Sequence, residues 1–200
     1  MKVLLIGAAG TLGASVREAL LERGHHVVTA SRNDPDNKVD ISDPASIGDL
    51  FTRVGTVDAV ASAAGSVPWR PLSELDHRDV LEGLVGKAVA QVELVRQGVA
   101  HVADGGSFTL ITGITATDPI RTGAVASLAN GAVEAFVRAA AIELPRGIRV
   151  NAVRPSVFTE SLDHYGTLFA GFDPVPVRRA ANAYVRSIEG GQTGQIYPVE

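Results

Sequence analysis

The chain has 200 residues, 46% of them hydrophobic and 20% charged, with a formal net charge of −4, which suits one soluble globular domain with a sizeable core. It has no cysteine, which excludes a disulfide framework, a thiolate metal site and a cysteine nucleophile. Five scattered histidines show no metal-ligand spacing, the acidic balance without a basic cluster argues against nucleic acid, and no apolar run reaches the length of a membrane span.

In chain order, Lys2 to Ile6 reads as a strand buried on both faces, because four apolar residues follow one another without alternation. The N-terminus runs straight into this strand and leaves no room for a signal peptide, so a cytoplasmic protein is expected. Gly7-Ala8-Ala9-Gly10-Thr11-Leu12-Gly13 follows at once, and then a helix pattern with Val16, Leu20 and Leu21 on one side and Arg17, Glu18, Glu22 and Arg23 on the other. Strand, glycine turn and helix form the context in which such a motif points to a dinucleotide. Gly7 lets the chain turn off the strand, Gly10 lets the backbone approach a pyrophosphate, and Gly13 lets the helix pack closely on the sheet. The helix N-terminus, at Thr11 and Leu12, aims free N–H groups and its positive dipole end at the phosphates.

Gly24 ends the helix, and His26 to Ala30 forms the second strand, with His25 and His26 at the end of the sheet opposite the glycine turn. That strand runs out into Thr29-Ala30-Ser31-Arg32. A neutral residue followed by Arg accommodates a ribose 2′-phosphate, so NADP is expected in preference to NAD. Asn33 to Asn37 is a polar turn, and Val39-Asp40-Ile41 reads as a short third strand. Ser42-Asp43-Pro44 opens a helix carrying Ile47, Leu50, Phe51 and Val54.

Val57 to Ala61 is a fourth strand, leading into the small residues Ser62-Ala63-Ala64-Gly65. Ser66 to Pro71 is a loop with the only tryptophan, Trp69. A long helix is expected from about 76 to 101, a turn at Asp104-Gly105-Gly106, a strand over 107–112, and a second long helix over about 122–144. A strand over 148–153, an irregular segment to about Pro176, a helix over 177–188 and a strand over 195–199 complete the pattern. Strands alternating with helices imply one doubly wound parallel sheet.

These residues together resemble the short-chain dehydrogenase/reductase family over essentially the whole chain. The resemblance rests on the glycine turn, Val39-Asp40-Ile41, Ala63-Ala64-Gly65, and Arg149-Val150-Asn151-Ala152-Val153-Arg154-Pro155-Ser156-Val157-Phe158-Thr159. The glycine spacing is G-x-x-G-x-x-G rather than the family's commoner T-G-x-x-x-G-x-G. The resemblance implies a single α/β domain over 1–200, a Rossmann fold with about seven strands in the order 3-2-1-4-5-6-7. It also implies a nicotinamide cofactor held by Gly7, Ala9, Gly10, Thr11, Leu12, Ser31, Arg32, Asp40, Ile41, Ala63, Ala64, Gly65, Pro155, Val157 and Thr159. Within that set Asp40 and Ile41 would contact adenine, and Thr159 the nicotinamide amide.

The catalytic half departs from the family pattern of Tyr-x-x-x-Lys with an upstream Ser. Alignment on Gly131-Ala132-Val133-Glu134-Ala135-Phe136-Val137-Arg138 places Ala126 at the Tyr position and Asn130 at the Lys position. The Ser position falls on Gly113, or on Thr112 with a loop one residue longer, and the family's helical Asn falls near Gly83. The three tyrosines, Tyr165, Tyr184 and Tyr197, are not followed by Lys at that spacing. Ala126 has no proton to give and Asn130 no charge. Candidate substitutes are Thr112, as a polarising hydroxyl or a strand-end hydroxyl bonded to backbone, and His164 or Tyr165 in the segment that forms the family's substrate lid. Lys87 reads as part of the solvated face of its helix, and Trp69 as a rim or core-edge residue.

The expected function is therefore an NADPH-dependent carbonyl reductase with a substitute proton donor. The alternatives are a catalytically inactive nucleotide-bound sensor or partner subunit, and a non-redox enzyme using the vacated site. A small-molecule ligand is expected, with no metal, no nucleic acid and no membrane. A homodimer or homotetramer pairing through the two long helices is also expected.

Overall fold

A computed structural model describes residues 1–200. The strands are β1 (Lys2–Ile6), β2 (His26–Ala30), β3 (Val57–Ser62), β4 (Val102–Ile111), β5 (Arg149–Pro155) and β6 (Ile196–Val199). They form one parallel sheet in the order β2-β1-β3-β4-β5-β6. Ile6 pairs with Ala30 on one side and with Ser62 on the other, so the carboxyl ends of β1, β2 and β3 lie level. The winding direction reverses between β1 and β3, and a crevice opens at such a point in an open α/β sheet.

The helices are α1 (Thr11–Glu22), α2 (Pro44–Val54), α3 (His77–Gly83), α4 (Ala90–Gly98), α5 (Ala124–Ala140), α6 (Leu162–Tyr165) and α7 (Val177–Glu189). Successive residues of a buried strand face opposite layers. Val3 and Leu5 accordingly pack with Leu12, Val16 and Leu20 of α1 and Ala181, Tyr184 and Ile188 of α7. Leu4 and Ile6 pack on the other side with Leu50 and Phe51 of α2, Leu94 of α4 and Val133 of α5.

The sheet has six strands because Val39-Asp40-Ile41 does not join it as a ladder. One bridge, Ser31 to Lys38, and one bond from the Val39 N–H to the Ser31 carbonyl are its whole pairing. The neighbouring backbone groups are taken by side chains instead. Ser46 Oγ accepts from the Asp40 N–H, Asp40 Oδ1 accepts from the Ser42 N–H, and Asp34 accepts from the Asp36 and Asn37 N–H groups. Such local bonds compete with a ladder. Without this segment, the observed strand order agrees with the expected one.

Two other elements differ from their expected form. Strand β4 begins at Val102 rather than 107, and a register shift against β3 absorbs the Asp104-Gly105-Gly106 turn inside it. The long helix over 76–101 is α3, a π segment over Leu84–Val89, α4 and a final 3₁₀ turn over Val99–His101. Asp76 and Asp79 cap its start reciprocally. At Gly83 a Cβ would lie 2.2 Å from Val125 Cγ1 of α5, and at Gly86 2.9 Å from the Ser66 carbonyl. These two glycines bring the π segment against both α5 and the chain leaving β3.

Candidate active site

A cleft of about 400 Å³ opens at the carboxyl ends of β1, β2 and β3. Its walls are Gly7, Ala9 and Gly10 from the first turn, Ser31 and Arg32 after β2, Asp40 and Ile41, and Ala63, Ala64 and Gly65 after β3. Gly7 turns the chain with φ +84°, and a Cβ there would stand 2.9 Å from the Ala63 carbonyl. At Gly10 the nearest atom to a Cβ would be 3.7 Å away, so its missing side chain leaves open space on the cleft. Gly13 behaves differently from expectation. A Cβ there would lie 2.0 Å from the Gly7 carbonyl oxygen, so this glycine seats α1 on the turn rather than on the sheet.

Helix α1 has no side-chain cap, and the N–H groups of Thr11, Leu12 and Gly13 donate to no protein acceptor. Three free donors and the positive end of a twelve-residue helix beside open backbone suit a diphosphate. Thr11 and Leu12 themselves do not line the cleft; Gly10, the residue that starts the helix, does. At the far end Arg32 is exposed and makes no ion pair or side-chain hydrogen bond. Asp40 stands beside it, its carboxyl held below the usual carboxylate range by the Ser42 hydroxyl and N–H and by the Arg32 charge.

A second cavity of about 160 Å³ adjoins the cleft where Gly65–Val67 runs past Gly86–Lys87. Thr112, Gly113, Ala126 and Asn130 line it together. Gln91, fully buried, fixes the strand end that presents them, its side-chain amide bonding both the N–H and the carbonyl of Ile111. The Thr112 hydroxyl lies 3.3 Å from Glu134 Oε1 and 3.3 Å from the Val153 carbonyl, turned into the protein. Glu134 is itself buried and held by Arg138 at 3.3 Å and Arg154 at 3.6 Å. Asn130 Nδ2 donates to Thr115 Oγ1, while Asn130 Oδ1 is buried without a partner.

Lys87 is the main correction. It does not belong to a solvated helix face: it is half-buried and lines the second cavity. Its ammonium makes no ion pair or hydrogen bond, and burial lowers its pKa to about 8. Sequence reasoning also passed over Thr115, Ser161 and the orphaned oxygen of Asn130.

Of the remaining candidates, Pro155 and Val157 line the second cavity rather than the cleft, and Thr159 lines neither. Thr159 starts a 3₁₀ turn, and its N–H is used on the Val175 carbonyl. His164 is exposed and packs edge-on against Tyr165, outside the cavity. Tyr165 does line it. Tyr184 is buried on α7 with its hydroxyl donating to the Ser62 carbonyl, and burial raises its pKa far above the ordinary value. Tyr197 belongs to β6 and bonds Gln192. Trp69 packs beside Tyr165 and Phe169, with ring centroids 6.1 and 6.2 Å away, over a small apolar cluster that also holds Ile114 and Val157. That cluster fastens the segment after β5 across the cavity.

A doubly wound sheet with a glycine turn and an uncapped helix N-terminus at its switch point defines a dinucleotide-binding α/β protein. Comparisons with known proteins agree. Residues 7–171 match the family model described as enoyl-(acyl carrier protein) reductase. The chain is 30% identical to versicolorin reductase 1 of Aspergillus parasiticus over 179 residues, covering 77% of this chain and 68% of the relative. It is 27% identical to L-xylulose reductase of Mesocricetus auratus over 178 residues, covering 80% and 73%. The crystal structure of the Listeria innocua protein lin1944 superposes with a TM-score of 0.98 at 48% identity over 100% of both chains. The chain belongs to the short-chain dehydrogenase/reductase family of nicotinamide-dependent oxidoreductases.

Proposed function

We propose that this chain is an NADPH-dependent reductase of small carbonyl compounds that lacks the tyrosine acid usual in its family. The observation that carries this reading is the pair of adjoining spaces: a cleft suited to a dinucleotide, and beside it a cavity whose wall has Gly113, Ala126 and Asn130 at the aligned Ser, Tyr and Lys positions. The relatives named above are reductases by name, which supports the direction of reaction.

The free N–H groups of Thr11, Leu12 and Gly13 would hold the diphosphate, and Asp40 and Ile41 would flank the adenine. Arg32, with no protein partner, would pair with a 2′-phosphate, which favours NADP over NAD. A reduced nicotinamide supplies hydride when bound. The chain's own work is to orient a carbonyl in the second cavity, to exclude water with the segment around Tyr165 and Phe169, and to deliver a proton. The test is NADPH consumption with a panel of small ketones, aldehydes and α-dicarbonyls. Turnover with at least one compound, faster with NADPH than with NADH, is expected; no turnover with any would overturn the reading.

The exposed faces of the two long helices favour self-association. Leu81, Val85 and Val89 lie four apart along α3 and the π segment and are 47, 39 and 45% exposed, and Leu128 of α5 is 49% exposed. Ala124, Ala132, Ala135 and Ala139 continue that surface on α5, while Ala126 and Ala129 face inward. We read this as the pairing surface of a homodimer or homotetramer, since helices with small outward residues approach closely. Light scattering at micromolar concentration should give a dimer or tetramer mass, and Val85→Asp with Leu128→Asp should give a monomer. A monomer mass for the unaltered protein would rule the pairing out.

A further inference from the structure

We propose that Lys87 is the proton donor of this site, acting from the π segment between α3 and α4 in place of an acid on α5. The proposal rests on the carbonyl-reductase reading above.

Position comes first. Lys87 stands where the cleft and the cavity meet. Its stem runs along Gly65, where a Cβ would lie 3.0 Å from Lys87 Cγ and 3.4 Å from Cδ. Gly65 lines the nucleotide cleft and Lys87 lines the cavity, so the ammonium is carried by a wall common to both. Helix geometry holds it there: Gly83 and Gly86 are pressed against α5 and Ser66, which leaves the segment no room to turn Lys87 outward. A π segment at this point is itself a feature that gathers at functional sites.

The chemistry around it comes second. A lysine kept for stability pairs with a carboxylate or with carbonyls, and Lys87 pairs with neither; Lys2, by contrast, donates to the Val54 carbonyl at 2.7 Å. From α5 the cavity presents Ala126 and the neutral Asn130, and from the chain after β3 it presents Val67. From the end of β4 it presents Thr112, behind which Glu134 is engaged by Arg138 and Arg154. From the segment after β5 it presents Tyr165, the one other titratable side chain on the lining. An unpartnered ammonium in such surroundings is desolvated, which brings its pKa to about 8. A group near that value gives and regains a proton readily at neutral pH, as general acid catalysis asks.

The step balances. Hydride addition to the carbonyl carbon breaks the C=O π bond and leaves its electron pair on oxygen. A proton from the Lys87 ammonium joins that oxygen, giving the alcohol and a neutral amine, and the nicotinamide dinucleotide is left oxidised. The amine then takes a proton from water. Asn130 Oδ1, buried without a donor, is placed to accept from a hydroxyl on the substrate or from the alcohol formed.

The experiment has two arms. The chain has only three lysines, Lys2, Lys38 and Lys87, so amine labelling with acetic anhydride can be followed residue by residue by mass spectrometry without cofactor. Lys87 should label with a midpoint near pH 8, and more slowly once NADP is added; a midpoint no lower than that of the exposed Lys38 overturns the proposal. The second arm measures NADPH consumption by the whole protein. Lys87→Met should lower kcat by about 10²-fold or more with the NADPH affinity changed less than about threefold. Lys87→Arg, which keeps the charge and holds its proton, should be equally slow, and the native kcat should fall as pH rises through about 8. Lys87→Met should melt no lower than the native protein, because it removes an unpaired, partly desolvated charge; this separates loss of chemistry from loss of fold. Undiminished turnover by Lys87→Met overturns the role of Lys87 and leaves the reductase reading standing. A native protein inert toward every carbonyl overturns both, whatever the labelling midpoint.

Discussion

Two glycines three residues apart separate the cofactor account from the fold. At Gly13 a Cβ would sit 2.0 Å from the Gly7 carbonyl oxygen, 2.7 Å from its carbon and 2.8 Å from Ala8 Cα, all backbone atoms. Gly13→Ala must therefore push α1 off the turn. Overpacking of this kind costs about 1–3 kcal/mol, against which alanine's helix propensity returns up to about 1 kcal/mol. A shortfall of about 1–2 kcal/mol lowers the Tm of a domain this size by roughly 2–8 °C. At Gly10 a Cβ meets nothing nearer than 3.7 Å, and the backbone there is extended with φ −82°, which alanine adopts freely. Gly10→Ala should keep the Tm within about 2–4 °C, allowing up to about 1 kcal/mol for a poorer helix cap. Its methyl would occupy the surface where the diphosphate lies, so NADPH affinity should fall about tenfold or more. Melting by differential scanning fluorimetry and binding by nucleotide fluorescence measure the two effects independently. A Gly10→Ala protein that binds NADPH as tightly as the native one would refute the placement of the diphosphate on this turn.

Three other outcomes follow from named residues. Arg32→Ala should weaken NADPH binding by about 10–100-fold, the worth of a charged hydrogen bond of about 1.5–3 kcal/mol, and NADH by less than threefold; equal losses for both nucleotides in a titration would remove Arg32 from the 2′-phosphate. Ala126→Tyr with Asn130→Lys, and Gly113→Ser where the carbonyl needs holding, places the usual family residues on one cavity wall. Carbonyl reduction should rise by about 10²-fold or more, and a repaired protein that binds NADPH without gaining activity would show the cavity closed to substrate. Glu189 is held by Arg23 and by His25 at 2.8 Å, and the Arg23 hydrogen bonds bring its pKa down to about 2. A folded pKa below the unfolded one stabilises above the unfolded value and loses that contribution as pH falls. Urea unfolding should show Glu189→Gln less stable by about 0.5–1 kcal/mol at pH 7, with the gap closing between about pH 4.5 and 2; a gap independent of pH would contradict the assignment.

The strands of the sheet centre were legible because a parallel strand covered on both faces must be an apolar run, and few other elements make one of that length. Val39-Asp40-Ile41, a short segment with apolar residues on either side of an Asp, reads as a strand yet stays outside the sheet. What decides it is a set of side-chain acceptors, Asp34, Asp40 and Ser46, whose bonds to nearby N–H groups no periodicity reveals. The cleft at the glycine turn was legible for the opposite reason: its demands fall on backbone, and backbone demands are written in glycines at fixed spacing. The second cavity was half legible. Gly113, Ala126 and Asn130, singled out by alignment, line it, but Lys87 reads in sequence as solvated, as a lysine on a helix ordinarily is. The signal was present in the spacing. Lys87 lies four residues after Gly83 and four before Gln91, both buried, and so on the inward stripe of its helix. What the spacing did not carry was the absence of any carboxylate on the facing elements, since these come from distant parts of the chain.

The central claim is that the nicotinamide end of a bound dinucleotide reaches the cavity where Lys87, Ala126 and Asn130 meet. A crystal of the protein soaked with NADP tests it directly. The account predicts the diphosphate against the N–H groups of Thr11 and Leu12, and an ordered nicotinamide with C4 facing that cavity. A dinucleotide seated elsewhere, or a nicotinamide turned away from the cavity with the Lys87 side of it shut, would contradict the account.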